Sequence, residues 1–217
     1  INDMDNAAEW PRAPVGIISV HPGEGRSTVT ANLATTRMMK GQSVLLIDAD
    51  LRAGAGARPD ELLGFDTPSI GLYDHLVNGQ KLKRETGREQ ISFVAAAGGD
   101  LPDDRGLITL GATDLAGLIA TLGERVFRLV DLPPVEQLEL SLELAGQLGQ
   151  VVIVVRAGLT RRAELKDCVT QLQKRGIECV GTVVIDVEPA RLSTADLIPK
   201  PDFSRLAGIF KRKKSHA

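Results

Sequence analysis

Short runs of β-branched and aliphatic residues recur along the chain, separated by longer stretches with helical spacing. The runs occupy residues 15–20, 43–48, 91–96, 127–131, 151–155 and 180–185. They are apolar throughout rather than alternating, which is the pattern of strands covered on both faces. The stretches between them predict helices near 27–40, 69–78, 112–123, 136–147 and 160–175. Strands and helices in this alternation predict an α/β fold, a mostly parallel central sheet with helices on both faces. Residues 1–13 are polar and aperiodic and read as an N-terminal arm or linker. Residues 14–190 carry the whole periodic pattern and read as one domain, and 191–217 as a C-terminal tail. The stretch 52–68, rich in Gly, Ala and Asp, is expected to form a mobile loop.

Composition narrows the picture in three places. A chain of 217 residues with 43% hydrophobic and 25% charged residues has the balance of a globular domain with a full core. A net charge of −2 provides no field for coating nucleic acid, so no nucleic-acid partner is expected. The two cysteines, Cys168 and Cys179, have no histidine near them in sequence and are expected to be small reduced side chains, not a disulfide or zinc site. No apolar run reaches the roughly 18 residues needed to span a bilayer, and no signal peptide is visible, so a cytoplasmic location is expected.

Candidate chemistry starts where the first run ends. Pro22, Gly23, Glu24, Gly25, Arg26, Ser27 and Thr28 lie between a strand and a helix. A glycine-rich turn opening a helix leaves backbone N–H groups pointing outward, where they surround a phosphate. Gly23 and Gly25 are expected to let the backbone approach that ligand closely. Ser27 is placed to put its hydroxyl on a phosphate-bridging Mg²⁺. The second run ends in Asp48 and Asp50, and the fourth in Asp131. Carboxylates at the carboxyl ends of parallel strands face the ligand crevice, where they hold the waters of a metal ion or orient an attacking water. Spacing alone does not divide these roles among the three.

In combination these residues resemble the MinD/ParA group of P-loop ATPases, and within it the bacterial tyrosine kinases of capsule and exopolysaccharide synthesis. The resemblance is carried by residues 22–28 with Asn32-Leu33-Ala34, then by Leu45-Leu46-Ile47-Asp48-Ala49-Asp50-Leu51-Arg52. Gly71-Leu72, Leu76, Gly79, Val130-Asp131-Leu132-Pro133-Pro134-Val135, Val154-Val155-Arg156 and Thr160 continue it, over about residues 15–187. It implies a P-loop fold and bound ATP with Mg²⁺. The phosphates would be held by residues 22–28, the metal by Ser27, Asp50 and Asp131, and the chemistry would be carried by Asp48, Asp50 and Arg26. It also implies self-association, a place beside the inner membrane, and a membrane-bound polysaccharide co-polymerase as partner.

Several positions depart from that pattern. Arg26 stands where the family has the lysine that reaches the phosphates, and guanidinium and ammonium are not interchangeable. His21 takes the place of the extra signature lysine of the MinD/ParA members. Asp186 stands near where an adenine-contacting Asn is usual. The chain has one tyrosine, Tyr73, so a tyrosine-rich tail open to autophosphorylation is absent. These losses point to a degenerate member, a weak nucleotide switch or a pseudo-kinase. In the tail, Phe203, Leu206, Ile209 and Phe210 would share one helical face beside Lys211–Lys214, which suits an anionic membrane interface across 203–214. Two other functions fit the same residues: a membrane-associated positioning ATPase of MinD/ParA type, and a non-catalytic adaptor of a polysaccharide co-polymerase. His75 reads as a surface residue, and Trp10 as an anchor of the arm.

Overall fold

The computed structural model describes residues 13–52, 57–66, 70–82, 85–88, 91–97, 105–122 and 126–187. All six apolar runs are strands: β1 (Val15–Ser19), β2 (Val44–Asp48), β4 (Ile91–Val94), β5 (Phe127–Asp131), β6 (Gln150–Arg156) and β7 (Glu178–Ile185). A further strand, β3 (Glu85–Arg88), precedes β4. Four residues without an apolar run leave no sequence signal for it. The helices are α1 (Arg26–Met39), α2 (Pro59–Leu63), α3 (Leu72–Asn78), α4 (Arg105–Gly111), α5 (Leu115–Thr121), α6 (Leu138–Leu148) and α7 (Arg162–Lys174), with a 3-10 turn at Val135–Gln137.

The strands form one sheet in the order β3-β4-β2-β5-β1-β6-β7, parallel except for β3 against β4. β1 is central and fully buried, flanked by β5 and β6. Neighbouring residues on a strand face opposite sides, so each strand feeds two cores. Ile18, Leu45, Ile47 and Val130 join the layer that includes α3–α7 residues. Ile17, Val44, Leu46, Phe93 and Leu129 join Val29, Ala31 and Ala34 of α1 and Leu63 of α2 on the other side. Each fully buried aliphatic or Phe side chain contributes about 1.5–3 kcal/mol relative to exposure, so the sheet's centre dominates stability.

Two expectations are corrected. The stretch 52–68 is not simply a loop, because it contains α2, opened by Pro59 at its first turn and anchored by buried Leu63. The helix expected over 112–123 begins later, as α5 at Leu115, and the separate helix α4 before it has already ended at Gly111. Asp114 lies between them, its carboxylate accepting the Gly117 N–H at 2.8 Å as the N-cap of α5. A capping side chain of this kind favours a helix start over a helix interior. Residues Pro11–Ile185 form one compact unit. The arm with Trp10 and the segment 203–214 lie outside the described residues. No described helix is long and apolar enough to cross a membrane.

Candidate phosphate site

The register of the parallel strands assembles the site. Asp48 and Asp131 are direct partners across β2 and β5, and Ile17 of β1 pairs with Asp131. The loop leaving β1 therefore passes directly over both carboxylates. Gly25 is the N-cap of α1 at φ 74°, and Gly23 lies at φ 77°, both in the left-handed region. A Cβ on Gly25 would meet only the Ile185 side chain, with Cδ1 at 2.6 Å free to shift, so the left-handed backbone is what demands glycine there. No side chain caps α1 and its first turn carries no acidic residue. Its leading N–H groups thus have no helical acceptor, which makes an anion site.

Glu24 holds the loop from within. Its carboxylate is fully buried and accepts the His21 N–H at 2.8 Å and the Thr160 hydroxyl. Arg156 donates through Nη1 to the Gly23 carbonyl at 3.1 Å, and His21 Nε2 lies 3.3 Å from Glu164 Oε2. The turn between β6 and α7 therefore clamps the loop.

Arg26, expected to hold phosphate, is turned into the strand ends. Its side chain is 7% exposed, with Nε donating to Asp131 Oδ1 at 2.7 Å and Nη2 donating to Asp50 Oδ2. Nη1 reaches Ser19 Oγ at 3.3 Å. Ser27 donates its hydroxyl to Asp131 Oδ2 at 2.6 Å. Arg52 grips Asp50 with both arms, Nε to Oδ1 and Nη2 to Oδ2, each at 2.6 Å. Arg58, at the start of α2, donates to Asp48 Oδ2 at 2.9 Å and to the Asp50 carbonyl at 3.2 Å.

The charges follow from this wiring. Complete burial pushes Asp48 up to about 7; the neighbouring Asp131 adds to the rise and Arg58 offsets part of it. Asp50 is buried too, yet the hydrogen bonds from Arg52 and the charge of Arg26 hold it below the usual carboxylate range. Burial works against the Arg26 charge, but Asp131 and Asp50 outweigh it and raise the guanidinium further.

The structure brings the residues expected to hold phosphate and metal to one place: residues 22–28, Asp48, Asp50 and Asp131. Ser27, Asp50 and Asp131 offer the hard oxygens that Mg²⁺ prefers. As arranged they do not fit it, because guanidinium groups already hold both carboxylates. Among the described residues no cluster of three or more His, Cys, Asp or Glu is poised to hold a metal ion. Sequence reasoning missed the roles of Arg52, Arg58, Glu24 and Thr160. Arg58 carried no signal, since it lies in a stretch without periodicity and meets Asp48 only through the chain reversal before α2.

No protein-family model matches the chain. It is 30% identical to EpsB of Ralstonia solanacearum over 171 residues, which is 77% of this chain and 22% of that protein. The chain thus spans about a fifth of that relative's length. It is 25% identical over 175 residues to the tyrosine-protein kinase CpsD of Streptococcus pneumoniae, covering 78% of this chain and 74% of that one. Among solved structures, the VpsO kinase domain superposes with a TM-score of 0.68 at 26% identity, covering 81% of this chain and 85% of that one. The BceF tyrosine kinase domain gives 0.63 at 29%, covering 79% and 68%. MinD from Pyrococcus horikoshii, complexed with Mg-ADP, gives 0.63 at 25%, covering 79% and 69%. A parallel sheet whose central strand runs through a glycine loop into a helix, with acidic residues ending the adjacent strands, defines a P-loop NTPase fold of the MinD type. Within that class the chain is similar in sequence and structure to bacterial tyrosine kinase domains.

Proposed function

We propose that this domain is a nucleotide-operated switch in capsule or exopolysaccharide synthesis, binding ATP and turning it over slowly or not at all. One observation carries the reading: the Arg26 guanidinium is buried against Asp131 and Asp50 beneath an intact phosphate loop. The uncapped start of α1 and the left-handed glycines keep the means of holding phosphate. The side chain that would stabilise charge on a transferring phosphoryl group is engaged elsewhere, and that stabilisation is the main source of catalysis in phosphoryl transfer. Any residual turnover falls to Asp48 or Asp50 positioning a water.

Tyrosine autophosphorylation is not part of the proposal. The chain's one tyrosine, Tyr73, is 2% exposed in α3. Bound nucleotide instead changes how the domain pairs with a second copy or with an inner-membrane polysaccharide co-polymerase, as expected of a phosphate-sensing switch. The basic segment 203–214 serves as its contact with anionic lipid on the cytoplasmic face.

Calorimetry with ATP and a phosphate-release assay test this on the native chain and on Arg26→Lys. The native chain is expected to bind ATP with little release. The lysine variant is expected to release phosphate at least about tenfold faster, a change of ~1.4 kcal/mol in barrier. A native chain that binds no nucleotide would end the switch reading and leave a purely adaptor role.

A further inference from the structure

Three carboxylates close the ends of β2 and β5, and each is matched by a guanidinium of the same chain. Asp131 is held by Arg26, Asp50 by Arg26 and Arg52, and Asp48 by Arg58. Three arginines and three aspartates leave the set formally neutral. Seating a divalent cation on Asp50 and Asp131 would require Arg26 to leave a position where its side chain is 7% exposed. The cation would take over those carboxylates, 4% and 0% exposed, and the displaced guanidinium would lose both of its partners. Removing one member of a buried pair is strongly unfavourable. Mg²⁺ also demands a near-octahedral oxygen shell at about 2.0–2.1 Å and gives up its waters reluctantly. Here the Asp131 oxygens hold an N–H at 2.7 Å and a serine hydroxyl at 2.6 Å.

The same guanidinium sits at the start of the helix that the phosphate loop opens. Arg26 is the first residue of α1, directly after the left-handed Gly25, so the chain fixes its charge at the uncapped end of a 14-residue helix. Nε, Nη1 and Nη2 each make one bond, using three of the five N–H donors of the group. Arg156 brings another cation to the loop through the Gly23 carbonyl.

We infer that this site takes a nucleoside di- or triphosphate without a divalent cation, because the Arg26 guanidinium occupies the carboxylates that would hold one and leaves the phosphates to the N–H groups of the loop. The inference rests on the nucleotide reading above and specifies the form in which nucleotide binds.

The test uses the full chain, titrated with ATP and with ADP in excess EDTA and again in excess Mg²⁺, by calorimetry with equilibrium dialysis as a check. Affinity in EDTA is expected to match or exceed that in Mg²⁺ to within about threefold. Binding tightened beyond that by Mg²⁺ would overturn the inference while the nucleotide reading stood. No binding in either buffer would overturn both. Arg26→Lys supplies a point charge that cannot bridge two carboxylates. That variant, once shown to melt cooperatively, is expected to bind ATP about tenfold more tightly with Mg²⁺ than with EDTA. A lysine variant as indifferent to Mg²⁺ as the native chain would remove Arg26 from the explanation. The native comparison needs no variant and decides the main point alone.

Discussion

Arg26 and the lysine expected at its position carry the same charge, and the difference between them is one of geometry. A planar fork of donors can hold two carboxylates on separate strands at once, whereas an ammonium holds them as a point charge. Asp50 and Asp131, 4% and 0% exposed, are in this way tied to the loop that covers them. Glu24 is the counterpart on the other side of the loop, a fully buried carboxylate satisfied by the His21 N–H and the Thr160 hydroxyl. Thr160→Val keeps the shape and removes that donor. The change is expected to cost about 1–3 kcal/mol, read as a lower urea midpoint with an unchanged slope. An unaltered midpoint would mean that the Glu24–Thr160 bond does not hold the loop. Cys168 is buried and its thiol is pushed up to about 12, chiefly by burial, in keeping with the inert role read from the sequence.

At the scale of elements, the sequence is most informative where a strand is buried on both faces and least where a contact closes over distance. The apolar runs gave β1, β2 and β5 their ends to within a residue, which is why the acidic residues following them could be placed at one edge of the sheet. Arg58 is different, since only the turn into α2 carries it to Asp48. The seating of α3 is decided in the same way. Its first N–H groups, from Leu72 and Tyr73, bond the carbonyls of Ala95 at 2.8 Å and Ala96 at 2.7 Å, just beyond β4. Gly71 permits that approach, because a Cβ there would fall 2.4 Å from the backbone of Ala97. Gly71→Ala is accordingly expected to destabilise the domain by about 1–3 kcal/mol, since backbone rather than a flexible side chain must move. A thermal midpoint within a degree of the native value would show that α3 is not seated this tightly.

For the whole molecule, all seven strands and the complete phosphate site fall within the compact unit Pro11–Ile185. A fragment of residues 11–185 is expected to melt cooperatively within about 5 °C of the full chain, because the core of the described residues lies inside it. Under the proposed lipid role of 203–214, that fragment should no longer sediment with anionic vesicles that bring down the full chain. Equal sedimentation of the two would remove the tail from membrane contact. The sequence by itself determined the α/β class, the six parallel strands, the phosphate loop and the acidic residues at the strand ends. Those features are local, arising from runs of buried residues and from glycines placed between a strand and a helix. Only the tertiary structure decided what the charges do. The pairings of Arg26, Arg52 and Arg58 with Asp131, Asp50 and Asp48 depend on strand register and on the path of the chain into α2. Electrostatic interaction in a buried site is set by distance and desolvation, and neither is written in the order of residues.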